Sequence, residues 1–109
     1  MLSEPPDLEV TIARVDDAVT VTVKGEIDLA TSTRLNRDLD GALDQEPVPA
    51  RLRIDLSQVN FMDTSGVAVM LKARRRALEA GARFSVISPS PAIKRLLEIT
   101  GLASLMAED

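Results

Sequence analysis

The chain has 109 residues and a formal net charge of −4, with 45% apolar and 28% charged residues. That length suits one domain with one hydrophobic core and leaves no room for a second. Histidine and cysteine are both absent, which excludes the commonest general base, the commonest metal ligand and all thiol chemistry. The acidic balance and the lack of Tyr and Trp argue against a nucleic-acid partner.

The sequence predicts neither a membrane-spanning segment nor an N-terminal signal. No apolar run approaches the roughly 20 residues that a membrane-spanning helix needs, and the first residues show no signal sequence. We therefore expect a cytoplasmic protein with no membrane partner. The polar residues 1–7 predict a flexible lead-in, residues 8–105 predict the folded domain, and residues 106–109 predict a tail.

Two segments near the start alternate apolar and polar residues, which is typical of strands with one buried face. They are residues 8–13 and residues 19–24, and the second is rich in β-branched side chains. Asp16 and Asp17 lie between them and indicate a turn. The two strands are therefore expected to form a hairpin.

The period of the apolar pattern changes after Asp28 and becomes that of a helix. Asp28 or Thr31 can supply the N-cap oxygen of this helix, and the prolines at 46–49 predict a loop after it. A third strand is predicted next, and the chain is expected to leave it at residues 57–60. The predicted helix face consists of Leu35, Leu39, Ala42 and Leu43. The predicted strand contains Leu52, Ile54 and Leu56, which alternate with charged residues.

A second helix is predicted from residue 67 onwards, with Gly81 as its C-terminal stop. Residues 84–87 predict a short fourth strand. Ser90 and Pro91 then open a third helix as N-cap and first helical residue, and Gly101 fits the left-handed position that ends it. The apolar face of the second helix is predicted at Val67, Met70, Leu71, Ala77 and Leu78.

The predicted order of elements is β-β-α-β-α-β-α. A helix between consecutive strands implies a right-handed crossover and parallel neighbours. The strands alternate rather than being continuously apolar, which indicates that helices cover mainly one face of the sheet. The sequence therefore predicts a single α/β domain with a mixed, mostly parallel sheet.

The run Asp63-Thr64-Ser65-Gly66 lies between the third strand and the second helix. It first of all indicates a helix start, in which Asp63 or Thr64 accepts a backbone N–H and Gly66 eases the turn. Ser65 has no histidine to activate it and no Gly-x-Ser-x-Gly turn around it, so we expect no enzyme.

Neither a metal nor another cofactor is expected from the sequence. The motif lacks the glycines and the lysine of a phosphate-binding P-loop. Asp28, Asp55 and Asp63 can be combined into a magnesium site, but carboxylates at strand ends more often cap helices or face water. We therefore predict no ligand-binding centre of this kind.

An exposed serine at a helix start can accept a phosphate without disruption of the fold, because the helix N-terminus offers free N–H groups and a partial positive charge. A phosphate adds roughly −1.5 to −2 charges, which a docked partner would feel. The residues alone thus leave two interpretations of Ser65, a plain helix start and a regulatory switch.

Three segments resemble the STAS domain family. Residues 21–28 contain Gly-Glu-Ile-Asp, residues 54–67 contain the Asp-Thr-Ser-Gly motif, and residues 88–102 are similar to its closing helix. Ala68 departs from the pattern, since many members have glycine there. The run 72–76 is unusually basic and predicts a solvated helix face or a surface that pairs with an acidic partner.

Within this family, a chain of this size with this motif is similar to an anti-sigma factor antagonist. The resemblance implies that the unmodified protein binds an anti-sigma factor, which frees the sigma factor. That anti-sigma factor is commonly a Ser/Thr protein kinase, which would phosphorylate Ser65, with Thr64 as the second candidate, and a PP2C-type phosphatase would reverse the step. The implied partner-binding residues are Asp28, Asp63, Thr64, Ser65 and Gly66.

Two alternatives stay open at this point. The chain can be a STAS scaffold in a signalling complex, or an accessory subunit of a lipid or anion transporter, and the identity of the neighbouring genes would discriminate these from a sigma regulator. The other alternative is a serine hydrolase or a nucleotidase, against which the missing histidine counts.

Overall fold

The predicted order of elements is confirmed by a computed structural model, which describes residues 8–106. The predicted lead-in and residues 107–109 of the predicted tail lie outside the described residues. The elements are β1 (Leu8–Val15), β2 (Ala18–Ile27), α1 (Leu29–Leu43), β3 (Arg51–Met62), α2 (Thr64–Glu79), β4 (Arg83–Ile87), α3 (Pro91–Ile99) and a short 3₁₀ helix, η1 (Ala103–Met106).

The four strands form one sheet in the order β1-β2-β3-β4. β1 and β2 are an antiparallel hairpin, in which Leu8 lies opposite Gly25 and Val15 opposite Ala18. β2 pairs with β3, and β3 with β4, in parallel. The helices α1 and α2 make the crossovers that parallel pairing requires. The predicted mixed, mostly parallel sheet is therefore confirmed.

Strand β3 is longer than the sequence predicts, and the expected departure from the sheet at residues 57–60 is wrong. β3 continues beside β2 as far as Met62, which lies opposite Ile27. Two register shifts, between Thr22 and Lys24 and between Gly25 and Glu26, each place an extra residue on β3. Such bulges break the alternation by which a strand is recognised in a sequence.

The helices cover one face of the sheet, as predicted. On that face the side chains of Val19, Val21, Leu52 and Ile54 are fully buried, whereas alternate residues of β2 and β3 such as Thr20 are only half-buried. The shortest dimension of the domain is 20 Å. That thickness fits one layer of sheet and one of helices, since packed layers are about 10 Å apart.

The inner face of α2 differs from the prediction. Leu71 and Leu78, which were expected to face the core, are 41% and 54% exposed. Val69 and Ala73 are buried in their place, while Val67, Met70 and Ala77 are buried as predicted. Small side chains on this stripe let α2 approach α1 and the sheet closely, so the helix buries Ala73 and Ala77 and leaves two leucines at its flank.

The ends of α2 and α3 agree with the prediction from the sequence, except for the hydroxyl of Ser90. Gly81 (φ +84°) and Gly101 (φ +77°) occupy the left-handed positions after the two helices, as predicted. Ser90 is the N-cap residue of α3 by position, with Pro91 after it, but its side chain caps no backbone N–H. The Ser90 hydroxyl donates instead to the carbonyl of Val59 at 3.1 Å, and this bond ties α3 to β3.

We predict that two isoleucines of the sheet contribute very differently to stability. Ile54 is fully buried in central strand β3, whereas Ile12 on edge strand β1 is 41% exposed. Ile54→Ala should lower the free energy of unfolding by about 2–5 kcal/mol, and Ile12→Ala by about 1 kcal/mol or less. Urea denaturation followed by circular dichroism measures both. Equal losses would contradict the placement of these strands.

Candidate functional site

The Asp63–Gly66 motif lies at one edge of the sheet because β2 and β3 end side by side. The last pair of the parallel ladder is Ile27 opposite Met62, and the N–H of Asp63 donates to the carbonyl of Ile27 at 3.2 Å. The next residue on each strand therefore begins a helix at the same edge. Asp28 and Asp63, which are 35 positions apart in the sequence, become neighbouring helix starts.

Asp63 is the N-cap of α2. Its Oδ1 accepts from the backbone N–H of Ser65 at 2.8 Å, and its backbone carbonyl accepts from the N–H groups of Gly66 at 3.0 Å and Val67 at 3.3 Å. Of the two cap residues that the sequence allowed, Asp63 fills the role and Thr64 is the first residue of the helix. The cap fixes the backbone that carries both hydroxyls.

Asp28 caps α1 through a reciprocal arrangement. Its Oδ1 accepts from the N–H of Thr31 at 3.0 Å, and the N–H of Asp28 donates to Thr31 Oγ1, also at 3.0 Å. Thr31 is buried, and its hydroxyl donates to the carbonyl of Glu26 at 2.9 Å. This capping box holds the Asp28 carboxylate at the edge beside the motif.

The two hydroxyls of the motif are accessible in different degrees. Thr64 is exposed and Ser65 is half-buried. Within residues 8–106, neither hydroxyl takes part in a hydrogen bond. The backbone under them is thus tightly bonded while their oxygens are free, which is an arrangement suited to a group that accepts a modification.

Gly66 is packed too closely for a side chain. A Cβ built on Gly66 would overlap the side chain of Met62 and would lie 2.9 Å from Ile27 Cγ2. Met62 and Ile27 are the residues at which β3 and β2 end. The absence of a side chain at Gly66 therefore lets the first turn of α2 rest directly on the ends of the two strands.

A groove between α1 and α2 borders Ser65. It has a volume of about 250 Å³. Leu29, which lines this groove, is 77% exposed. Exposed large apolar side chains next to a groove are typical of a protein-binding surface. The groove is lined by Leu29, Ser32, Asn36, Ser65, Ala68, Val69 and Lys72.

The three aspartates considered for magnesium do not form one centre. Asp28 and Asp63 cap their helices, and Asp55 accepts from the N–H of Ser57 at 2.8 Å within β3. No set of three acidic ligands that could hold a metal ion occurs within the described part of the chain. None of the helices described at 8–106 combines the length and the apolar character needed to cross a bilayer.

The basic run 72–76 is only partly a solvated helix face, on which Arg74, Arg75 and Arg76 are exposed. Lys72 lines the groove, Ala73 is buried, and Arg76 forms an ion pair of 2.8 Å with Asp40 of α1. The run is thus divided among three environments.

The α1 residues of the groove are not predicted from the sequence as part of the site. Leu29, Ser32 and Asn36 nevertheless have the three-and-four spacing that marks one helix face.

Comparison with protein families identifies the domain type. A family model described as "Mlab, STAS domain" matches residues 10–107. The anti-sigma-B factor antagonist of Listeria monocytogenes is 31% identical over 93 residues, which cover 85% of this chain and 80% of that protein. The similarity therefore extends over nearly the whole domain.

Solved structures with the same fold include an anti-sigma factor antagonist from Mycobacterium paratuberculosis. It is 28% identical, with a TM-score of 0.81 and coverage of 96% of this chain and 87% of that chain. The Bacillus cell fate determinant SpoIIAA in its phosphorylated form is 22% identical, with a TM-score of 0.70 and coverage of 93% and 91%. The second comparison shows the fold alone.

We predict opposite effects of two glycine-to-alanine substitutions. Gly66→Ala should lower the free energy of unfolding by about 1–3 kcal/mol, because the added methyl overlaps Met62 and a packed core resists extra volume. Gly41→Ala is the matched control: Gly41 lies in α1 with no atom within 4 Å of an added Cβ. It should raise stability by about 0.5–1 kcal/mol. Thermal and urea unfolding measure both, and an unchanged Gly66→Ala protein would contradict the close packing.

Proposed function

Because the chain belongs to the STAS domain family and is related to the anti-sigma factor antagonists of that family, we propose that it binds an anti-sigma factor and is released by phosphorylation of Ser65. The proposed anti-sigma factor is itself a Ser/Thr protein kinase, and a PP2C-type phosphatase restores the binding form. The observation that carries the proposal is the unbonded Ser65 hydroxyl on a capped helix start beside the α1–α2 groove.

Ser65 is the proposed phosphate acceptor and Thr64 the second candidate. Ser65 lines the groove, whereas Thr64 does not. Ser65 also directly precedes Gly66, whose contacts with the ends of β2 and β3 fix the local backbone. A kinase needs its acceptor hydroxyl presented in a reproducible position, and the Asp63 cap supports that for Ser65 more directly than for any other hydroxyl of the motif.

The proposed docking surface combines apolar contact with charge. Leu29 supplies exposed apolar area beside Ser65, and burial of such area is the usual source of binding free energy. Asp28 and Asp63 flank the same edge and are proposed as partner-binding groups, together with Thr64, Ser65 and Gly66. The domain acts in this proposal as a binding module in the cytoplasm rather than as an enzyme.

Phosphorylation is expected to affect the complex far more than the fold. The Ser65 hydroxyl has no hydrogen-bond partner to lose in the described chain, and the Bacillus protein with the same fold has been solved in a phosphorylated form. Against one acidic group of the partner at ~4 Å, each added charge costs up to ~4 kcal/mol at a near-surface dielectric. A cost of that size weakens binding by about three decades.

We predict that phosphate is transferred to Ser65 and to no other hydroxyl. The purified protein is incubated with the candidate anti-sigma kinase and Mg-ATP, and the product is mapped by peptide mass spectrometry. Ser65→Ala should abolish incorporation, and Thr64→Ala should leave most of it. Normal phosphorylation of Ser65→Ala would overturn the site assignment, and failure of any complex to form would count against a sigma regulator.

We further predict that Ser65→Glu separates binding from stability. The substitution should weaken the complex with the anti-sigma factor at least about tenfold, because a fixed negative charge enters the docking surface. The free energy of unfolding should change by about 0.5 kcal/mol or less, since the Ser65 hydroxyl has no hydrogen bond to lose within residues 8–106. Calorimetric titration and thermal unfolding measure the two effects.

The matched control for this variant is Ser104→Glu. Ser104 is exposed in η1, which follows the far end of α3. This variant adds the same charge away from the motif and should bind like wild type. Equal binding by Ser65→Glu and Ser104→Glu would remove the electrostatic explanation of the switch.

A further inference from the structure

The first turn of α2 has little capacity left for a phosphate. The N–H groups of Ser65, Gly66 and Val67 already donate to acceptors of Asp63. The Asp63 carboxylate is itself an anion at the helix N-terminus, so it occupies the position at which the helix dipole would favour a second negative group. A phosphate on Ser65 therefore needs a counter-charge from elsewhere in the domain.

The α1–α2 groove offers such a charge. Its α2 wall is formed by residues 65, 68, 69 and 72, which follow the helical spacing of one continuous face. The α1 wall is formed by Leu29, Ser32 and Asn36 in the same way. Ser65 and Lys72 therefore stand at two positions along one groove, and Lys72 is the cationic residue among those that line it.

Lys72 is placed to reach the Ser65 side chain. Seven helical residues separate the two Cα atoms by about 10.5 Å along the axis. A lysine side chain is a flexible four-carbon stem that can extend along this face of α2, and a phosphate on Ser65 extends from the other end of the same groove. Lys72 is half-buried and has no ion-pair partner within residues 8–106.

We infer that Lys72 is the counter-ion of the Ser65 phosphate and holds it in the α1–α2 groove. This inference rests on the proposed function, because it concerns the phosphorylated form of the same site. Lys72 acts as a positioning residue: the ion pair draws the phosphate along α2 and away from the Asp63 carboxylate. The amide of Asn36 on the opposite wall can donate a hydrogen bond to the same group.

The ionisation of the phosphate itself tests this contact. Phosphoserine is incorporated at position 65 during translation, so that no kinase is needed, and the second pKa of the phosphate is measured by ³¹P NMR titration. A neighbouring cation favours the dianion and keeps this pKa low. Lys72→Gln should therefore raise it by about half a unit, whereas Lys72→Arg should leave it near the wild-type value.

Lys24→Gln is the matched control, since it removes the same charge from the opposite face of the sheet. Lys24 is 64% exposed and lies 4.0 Å from Glu9 on β1. At physiological ionic strength its loss should move the phosphate pKa by less than about 0.1 unit. Equal shifts in Lys72→Gln and Lys24→Gln would overturn the inference, because they would show a general charge effect.

A binding measurement separates a phosphate contact from a partner contact. Because Lys72 lines the groove, the affinity of unphosphorylated Lys72→Gln for the anti-sigma factor is measured beside the titration. Weaker binding together with an unchanged phosphate pKa would assign Lys72 to the docking surface and overturn the inference. Because the phosphoserine is encoded, a failure of the kinase to modify Ser65 would contradict the proposed function without affecting the titration.

Discussion

The parallel pairing of β2 with β3, continued to their last residues, is the constraint from which the candidate site follows. Ile27 and Met62 end the two strands opposite each other, and the Asp63 N–H bonded to the Ile27 carbonyl closes the ladder. Gly66 then packs on both end residues. If β3 left the sheet at Ser57, the starts of α1 and α2 would not be neighbours. The groove between the two helices would then not lie beside the motif.

The same aspartates serve the fold and the proposed function. Asp28 and Asp63 satisfy N–H groups at the starts of α1 and α2, a structural role that any capping residue could perform. Their placement at one edge also leaves two carboxylates beside an unbonded serine. The Asp63 cap and the close packing of Gly66 fix the position of this serine. A change of charge on its side chain therefore acts on a bound partner rather than on the core.

Electrostatic repulsion explains why a phosphate on Ser65 would need a cation supplied by the domain itself. Within the basic run on α2, Arg76 is paired with Asp40 across the two helices, and the buried Ala73 separates Lys72 from the arginines. Lys72 alone from this run lines the groove. The proposed phosphate would be added beside Asp63, and repulsion between like charges at such short range is strong enough to require compensation.

Local chemistry allowed much of this structure to be predicted from the sequence: the order of elements, the mixed sheet, the core face of α1, the left-handed Gly81 and Gly101, and a capped start for α1 and for α2. These features depend on neighbours within a few residues, through alternation, helical spacing and backbone conformation. Which residue forms each cap, Asp28 rather than Thr31 and Asp63 rather than Thr64, is left open by the sequence. The capping motif and the absence of histidine also follow directly from the sequence. Only the tertiary structure decided how far β3 extends, because its bulges depend on pairing with β2. It likewise decided that α2 buries Val69 and Ala73 rather than Leu71 and Leu78, since close helix packing selects a face by shape and not by hydrophobicity alone. It also decided that Ser65 and Lys72 share one groove.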